Sequence, residues 1–444
     1  MRNKILFVLL ISLSTGLFAE SITLEQVRAL ALANSRSLAK LNLTIRSSML
    51  DEKNTLYTML PSPSADYGAT MNYLDSNWHI VNPIDTFDSR LSFSVTQKIF
   101  EGGKSFIQKA INELSTESAR KDAQAEYFNV LDSADSAYYA VLEAVATLEA
   151  AESALASAVS NLAIAEIRQT SGMISQSDYL KALADNESQV NSRNQARRSL
   201  SLNMVKLKSL IGTSGNPVPE EVDFSGYEEL IQMLGSVSDE HAVNVYGSFW
   251  DIISAANPSL AKAVLRNQSA EKSLSLTKRE PSPTLNATIF SGGIGYSTAD
   301  GYRNYSGGGI ALTGKIPLDF WVFSNRIEKS KIAVASAKLD YINTETQLEI
   351  DLQSALINAF TQAELVLSSR RSLAYAEKYF ESVQERYRLN QSSITDLSDA
   401  LTFLYNNRNT QIRSQYGFLQ SLSKLRSLGA IDDEQKLAKI LMGT

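Results

Sequence analysis

No cysteine occurs among the 444 residues, which excludes disulfides, thiolate metal sites, cysteine nucleophiles and a lipidated N-terminal cysteine together. Histidine is nearly absent too. His79 and His241 are far apart in sequence, so a histidine-based zinc site or a Ser-His-Asp centre has little to work with. No nucleophile motif appears, and neither a catalytic centre nor a cofactor is expected. The formal net charge is −6, and a chain that lacks a basic patch gives no reason to expect nucleic acid as a partner. Past the N-terminus no run of 18 or more apolar residues exists, so no membrane-crossing helix is expected. A membrane β-barrel is not excluded by this, because its strands are short and only half apolar.

What is present begins with a targeting signal. Arg2 and Lys4 precede an apolar run from Ile5 to Leu13 and a short polar stretch to Ala19. That order reads as a secretory signal peptide over residues 1–19, with Leu17 larger than usual three positions before the cut. The rest of the chain is therefore expected outside the cytoplasm.

Glycine and proline are unevenly placed. Between Lys104 and Ile211 there is no proline and one glycine, Gly172, and between Leu318 and Tyr416 there is neither. These residues end helices, so two stretches of about a hundred residues are free to be helical. In contrast, eight of the 21 glycines fall between Gly292 and Gly314, among β-branched and aromatic residues.

The chain also repeats. Lys206-Leu207-Lys208-Ser209-Leu210 returns as Lys424-Leu425-Arg426-Ser427-Leu428, and Ser177-Asp178-Tyr179-Leu180 returns as Thr395-Asp396-Leu397-Ser398, both offset by 218 residues. Pro61-Ser62-Pro63 returns as Pro281-Ser282-Pro283, and Lys98-Ile99 as Lys315-Ile316, within two residues of that offset. Four matches in order mean a duplicated unit. Each half reads as helix, Pro-Ser-Pro, β-hairpin, very long helix, turn, helix.

Two heptad columns run along the first long helix: Leu131, Tyr138, Val145, Glu152, Val159, and Ala134, Val141, Leu148, Leu155, Leu162. Nine of these ten positions are apolar, a coiled-coil pattern. The second half keeps one column, Leu352, Ala359, Val366, Leu373 and Phe380. A helix from Gly103 to about Arg168 would be roughly 100 Å long at about 1.5 Å per residue. No single globular core hides such a rod, so the helices must pack on one another and on copies from other chains.

Two hairpins are expected, one with strands Asp66–Tyr73 and Ser89–Phe100, the other with strands Thr284–Ser297 and Ser306–Ile316 around a loop holding Asp300, Gly301 and Asn304. Leu91, Phe93 and Val95 alternate with Ser92, Ser94 and Thr96, which places one face in an apolar setting and one in a wet one. Four strands are too few to close a transmembrane barrel, and open edges are not tolerated in lipid. If the hairpins are membrane strands, several chains must share one barrel. A sheet of an ordinary soluble protein remains the other reading of the hairpins alone.

Three further segments stand out: Ile22-Thr23-Leu24-Glu25 with Ala31-Leu32-Ala33-Asn34 and Leu38, their second-half counterpart Ala256-Asn257-Pro258-Ser259-Leu260, and the junction Gln97-Lys98-Ile99-Phe100-Glu101-Gly102-Gly103. With these segments the sequence resembles the outer-membrane efflux family whose best-known member is TolC. The second junction, Ile316-Pro317-Leu318-Asp319-Phe320-Trp321, lacks the paired glycines, so a different bend is expected there. The resemblance implies an α+β membrane protein. Three chains would form a homotrimer with a 12-stranded transmembrane β-barrel, four strands per chain, continuing into a long α-helical coiled-coil barrel. It implies an outer-membrane location reaching into the periplasm, and an exit duct of a tripartite efflux or type I secretion system. Its partners would be a periplasmic adaptor, an inner-membrane transporter and outer-membrane lipid.

The same resemblance points to a gate at the periplasmic tip. The two acids three apart are Asp396 and Asp399, which share a helix face, and three copies would place six carboxylates in one constriction. Asp396 suits a helix N-terminus equally well as a cap, and Asp399 suits a solvated face. The family's tyrosine and acid positions are Tyr387 and Asp178, while its arginine position is Ser392, leaving the lock to weaker hydrogen bonds or some other cation. The tip turns expected to meet the adaptor contain Gly172, Ser175, Asn390 and Ser393. As plain helix-hairpin turns, they would use Gly172 and Asn390 for left-handed geometry. Trp78 and His79 fall in the first hairpin's loop, expected outside the cell.

The domain reading is a signal peptide at 1–19, a first repeat at 20–212, a mixed equatorial segment at 213–249, a second repeat at 250–430 and a tail at 431–444. Hairpins are expected at about 64–100 and 284–317. Tunnel helices are expected at about 103–211 and 322–428. The competing class is a periplasmic coiled-coil adaptor or scaffold without a barrel, which would explain the heptads but leave the hairpins without a purpose.

Overall fold

The computed structural model describes residues 21–71, 87–236, 239–291, 294–297, 301–304 and 307–442. The signal-peptide segment, the loop with Trp78 and His79, and Asp300 lie outside the described residues. The chain forms two compact units, and two very long helices, α3 (Lys104–Thr170) and α8 (Phe320–Arg388), run through both. Their 67 and 69 unbroken residues match the two stretches free of proline and almost free of glycine.

One unit comprises residues 36–126 and 252–351. It contains α2 (Arg36–Tyr57), α7 (Pro258–Lys278) and the strands β2 (Ser62–Thr70), β3 (Asp88–Phe100), β5 (Thr284–Phe290), β6 (Ile294–Ser297), β7 (Gly301–Asn304) and β8 (Gly309–Lys315). Polar ties hold its helices: Asn112 donates to the Thr55 hydroxyl at 2.7 Å, the hydroxyls of Thr277 and Ser330 meet at 3.0 Å, and Lys262 pairs with Asp122. Helix α7 starts at Pro258, where the missing N–H costs nothing, behind an Asn257 cap that accepts from Ser259 and Leu260.

All strand pairings in this unit are antiparallel. β3 pairs with β2 on one side and with β5 and β6 on the other; β5 pairs with β8 and β6 with β7. Among the described residues β2 and β8 are edge strands. The first strand begins earlier than the sequence suggests, at Ser62, so Pro63 lies inside it opposite Val95. An edge strand tolerates proline because no ladder bond is required of its outer side. The second hairpin also differs. Gly301 and Asn304 are strand residues of β7 rather than loop, because Tyr296 and Tyr302 pair across the turn with rings 5.2 Å apart and carry the ladder past the expected end.

The two strand-to-helix junctions diverge for a steric reason. Gly102 and Gly103 both have positive φ, +68° and +72°; a Cβ on Gly102 would lie 2.5 Å from the Ser282 Cβ, and one on Gly103 2.7 Å from the Arg279 guanidinium. The second half's Arg279–Ser282 turn thus presses on the first half's junction, and Arg279 donates to the Gly102 carbonyl at 3.1 Å. Residues 316–319 turn without positive φ, which is why no glycine pair is needed there.

The other unit comprises residues 21–35, 127–251 and 352–442 of the described chain. It holds β1 (Ser21–Ile22), α1 (Leu24–Asn34), α4 (Gln176–Ile211), β4 (Val218–Pro219), α5 (Glu228–Leu234), most of α6 (Asp239–Ala256), α9 (Ile394–Gly429) and α10 (Glu434–Met442). Within residues 213–249 β4 pairs in parallel with β1, and α5 follows it. The expected boundary at 249/250 falls inside α6, so the second repeat does not start at a break in the chain.

The heptad columns persist only part-way. Leu131, Ala134, Tyr138 and Val141 are buried, but Glu152 and Val159 are exposed, and the buried line moves to Ala151, Ala154, Ala158 and Ala165. A helix of 3.6 residues per turn drifts about 20° per heptad against a 3.5 repeat, and alanine lets neighbouring helices approach along the shifted line.

Duplication is visible in the backbone itself. Gly172 and Asn390, both left-handed, stand 218 apart; so do Gly212 and Ala430, the left-handed caps of α4 and α9. Asn34 reaches the end of α4, donating to the Leu210 carbonyl at 3.1 Å, and its side chain lies 2.7 Å from where a Cβ on Gly212 would stand.

Candidate functional site: a sheet with reversed polarity and a four-helix tip

The alternation read from β3 appears as two faces of unlike chemistry. Phe93, Val95 and Leu91 are exposed, with Phe93 at 55%, whereas Ser92, Ser94 and Thr96 between them are partly covered. Register extends each face across the sheet. Tyr67 stands opposite Leu91, Ala65 opposite Phe93, Val95 opposite Ile289 and Ile289 opposite Ile310. Ile310 is 78% and Tyr302 88% exposed. On the other face hydroxyls pair across strands, Ser64 with Ser94 at 2.8 Å and Thr96 with Thr288 at 3.0 Å. In a water-soluble sheet the apolar face is the covered one; here it is the open one. Phe290 is the exception on the polar face, and its ring lies over Gly309, its cross-strand partner.

The tip gathers the ends of four helices from the second unit described above. Ala165, Ala182, Val383, Tyr387, Ile394, Leu397 and Ala400 form its buried cluster. Both turns are built alike. The left-handed residues Gly172 and Asn390 let Met173 donate back to the Arg168 carbonyl and Gln391 to the Arg386 carbonyl, each at 2.7 Å. Ser175 and Ser393 are then the N-caps, each in a reciprocal capping box with the acid three residues on, Asp178 and Asp396.

This corrects one sequence expectation. Asp396 is not the cap of α9 but the third residue of its first turn. It accepts from the Ser393 N–H and the Ser392 hydroxyl, each at 3.0 Å, and these bonds hold its carboxyl below the ordinary value. Asp399 lies three residues on, and both acids are exposed. Tyr387 is 2% exposed, and its hydroxyl makes no hydrogen bond to Asp178, whose carboxylate is engaged with Ser175. The tyrosine–acid bond implied by the resemblance is therefore not formed within the chain.

A cation at this place was not found from the sequence, and it is Arg168. Its guanidinium sits 4.3 Å from the Tyr387 ring centroid and donates to the carbonyls of Tyr387 and Arg388 at 2.8 and 3.2 Å. Burial pushes the Tyr387 phenol up while Arg168 pulls it the other way. The duplication held the clue: Arg168 and Arg386 are also 218 apart.

A second missed cluster ties α1, α3 and α9. Asp135, 1% exposed, accepts from Arg28 at 2.6 and 3.0 Å, from Arg426 at 2.6 Å and from Ser423 at 2.7 Å. The pocket beside it, about 250 Å³, is lined by Tyr139, Tyr227, Leu419 and the C-terminal Leu437 and Met442. Separations of 107 and 291 residues give this triad no local sequence signature.

A long-helix, duplicated chain whose sheet turns its oily face outward belongs to the class of outer-membrane channel folds. The chain is a member of the outer membrane efflux protein family, which matches residues 27–213 and 251–430. It is similar to the CmeC outer membrane channel of Campylobacter jejuni, at 16% identity and a TM-score of 0.75 over 94% of this chain and 89% of that one. It is similar also to the outer membrane protein VceC of Vibrio cholerae, at 15% identity and 0.72 over 91% and 96%. The open state of the MtrE outer membrane channel of Neisseria gonorrhoeae scores 0.62 at 16% identity over 92% and 88%. No match is found among curated proteins. No described helix is long and apolar enough to cross a membrane.

Proposed function

We propose that this chain is the outer-membrane exit duct of a tripartite efflux or type I secretion system, conducting substrates passively from a periplasmic adaptor and an inner-membrane transporter to the cell exterior. The observation that carries the reading is the sheet: an exposed apolar face, a hydroxyl-rich opposite face and two open edges. In lipid an open edge leaves unsatisfied N–H and C=O groups, each costing several kcal/mol, so such a sheet must close. β5 and β6 pair in succession along β3 and count as one arm of the second hairpin, with β7 and β8 as the other, so each chain supplies four strands. Four cannot close alone, and three copies give the twelve strands of the proposed barrel. A barrel-free adaptor would leave this oily face in water.

The helical tip is the proposed gate. Asp396 and Asp399 from three copies would line the constriction and favour cations, with Tyr387 and Asp178 behind them. The turns at Gly172–Ser175 and Asn390–Ser393 would offer the adaptor its docking surface. Purification in detergent tests the reading: a mass of three chains with single-channel conductance is expected. A single-chain mass without conductance would overturn it.

A further inference from the structure

We infer that the barrel closes through a seam in which β8 of one chain pairs with β2 of the next, with Lys315 placed opposite Asp66 of that next chain. The inference rests on the multi-chain reading above, but it fixes a register which that reading leaves open.

The chain contains a template for the seam. Where its two halves meet, β3 pairs antiparallel with β5, placing Lys98 opposite Asn286 and Thr96 opposite Thr288. β8 is the second-half counterpart of β3 through Lys98-Ile99 and Lys315-Ile316, and β5 is the counterpart of β2 through the two Pro-Ser-Pro segments. Carried through these offsets, the pair Lys98 and Asn286 becomes Lys315 and Asp66. What is a lysine facing a neutral amide inside the chain becomes, at the seam, a lysine facing a carboxylate. Opposite charges directly across a ladder stabilise the pairing.

Three further features fit the same register. Among the described residues β2 pairs only with β3, and β8 only with β5, so both outer edges are free. The faces agree: Ile310 would meet Met71, Leu312 would meet Ala69, and Gly314 would meet Tyr67, all on the apolar side. Exposures of 78% for Ile310, 52% for Met71, 68% for Leu312 and 68% for Tyr67 leave them available. A slip of one residue would turn Leu312 to the polar face, which the alternation forbids. Finally, an aromatic ring facing glycine is a pairing this sheet already uses, Phe290 over Gly309, and Tyr67 opposite Gly314 would repeat it.

The absence of native cysteine gives a clean test. The double variant Asp66→Cys with Lys315→Cys, oxidised with copper phenanthroline in outer membranes, should run on non-reducing gels as linked dimers and a linked trimer. The two-residue slips in either direction, Asp66→Cys with Thr313→Cys and Gly68→Cys with Lys315→Cys, should link far less. Stronger linkage in either slipped pair, or no linkage in any, while the unlinked protein keeps its three-chain mass, overturns the seam and leaves the duct intact. A one-chain mass in detergent overturns both. A charge exchange provides an independent check: Asp66→Lys should lower the temperature at which the trimer dissociates, and adding Lys315→Asp should restore it. Failure of the second change to restore it counts against the pair.

Discussion

The guanidinium carbon of Arg168 lies 4.3 Å from the ring centroid of Tyr387, and the same side chain donates to the carbonyls of Tyr387 and Arg388. One arginine thus joins the end of α3 to the end of α8 by a ring contact and by satisfying carbonyls that a helix C-terminus leaves open. Arg168→Ala is expected to destabilise the tip by about 1–2 kcal/mol. Raised open probability in bilayer recordings would report it. Arg168→Lys should recover little, because an ammonium cannot both stack on the ring and bridge two carbonyls. Full recovery by lysine would count against the stacking role.

Asp396 and Asp399 sit exposed on the first and second turns of α9. Replacing both with alanine is expected to weaken cation preference in reversal-potential measurements. Unchanged selectivity would remove them from the lumen.

The bonds from Ser393 and Ser392 depress the Asp396 carboxyl below its ordinary 3.8. A depressed acid stabilises the folded state at all pH values above the unfolded value, and this contribution is lost as pH falls through the folded one. The stability gap between the native chain and Asp396→Asn should therefore be constant from pH 7 to about 5 and close below about 4. Denaturant unfolding at a series of pH values measures it. A gap that persists in strong acid would assign the effect to something other than charge.

Much of this is legible in the sequence. The two long helices follow from the placement of glycine and proline, and the strand faces follow from alternation in β3. The shifted buried line on α3 did not, because periodicity alone does not say where a 3.5 repeat on a 3.6 helix changes neighbour. Arg168 is hidden for a different reason: the resemblance puts the cation at the position of Ser392, whereas here it comes from the other half of the duplication. The Asp135 triad depends on three helices brought together by the fold, and no window of sequence contains it.

Asp135 is expected to be the most sensitive single position. Asp135→Asn would remove the carboxylate charge that the buried Arg426 and the half-buried Arg28 both face, at a cost of about 3–5 kcal/mol. Thermal unfolding should show a correspondingly large drop, and a near-neutral effect would mean that the triad relaxes into water.

The left-handed caps offer a gain and a loss. Ala430 has φ +49°, a conformation that costs an L-residue about 1–2 kcal/mol. Ala430→Gly should therefore raise stability by about 1 kcal/mol. The equivalent change in reverse, Gly212→Ala, should lower it by more, since Asn34 already occupies the space of the new Cβ. Equal and opposite effects would mean that Asn34 moves aside freely.

The open oily face also bears on the order of events in the life of the molecule. A single folded chain would carry a sheet that water disfavours and two edges that lipid does not accept. Under the proposed shared barrel neither compartment is hospitable to it alone, so meeting its copies and entering the bilayer would become one event. The yield of finished channel should then rise more steeply than linearly with the supply of chains. A periplasmic holding factor that shields extended strands would matter most when that supply is low.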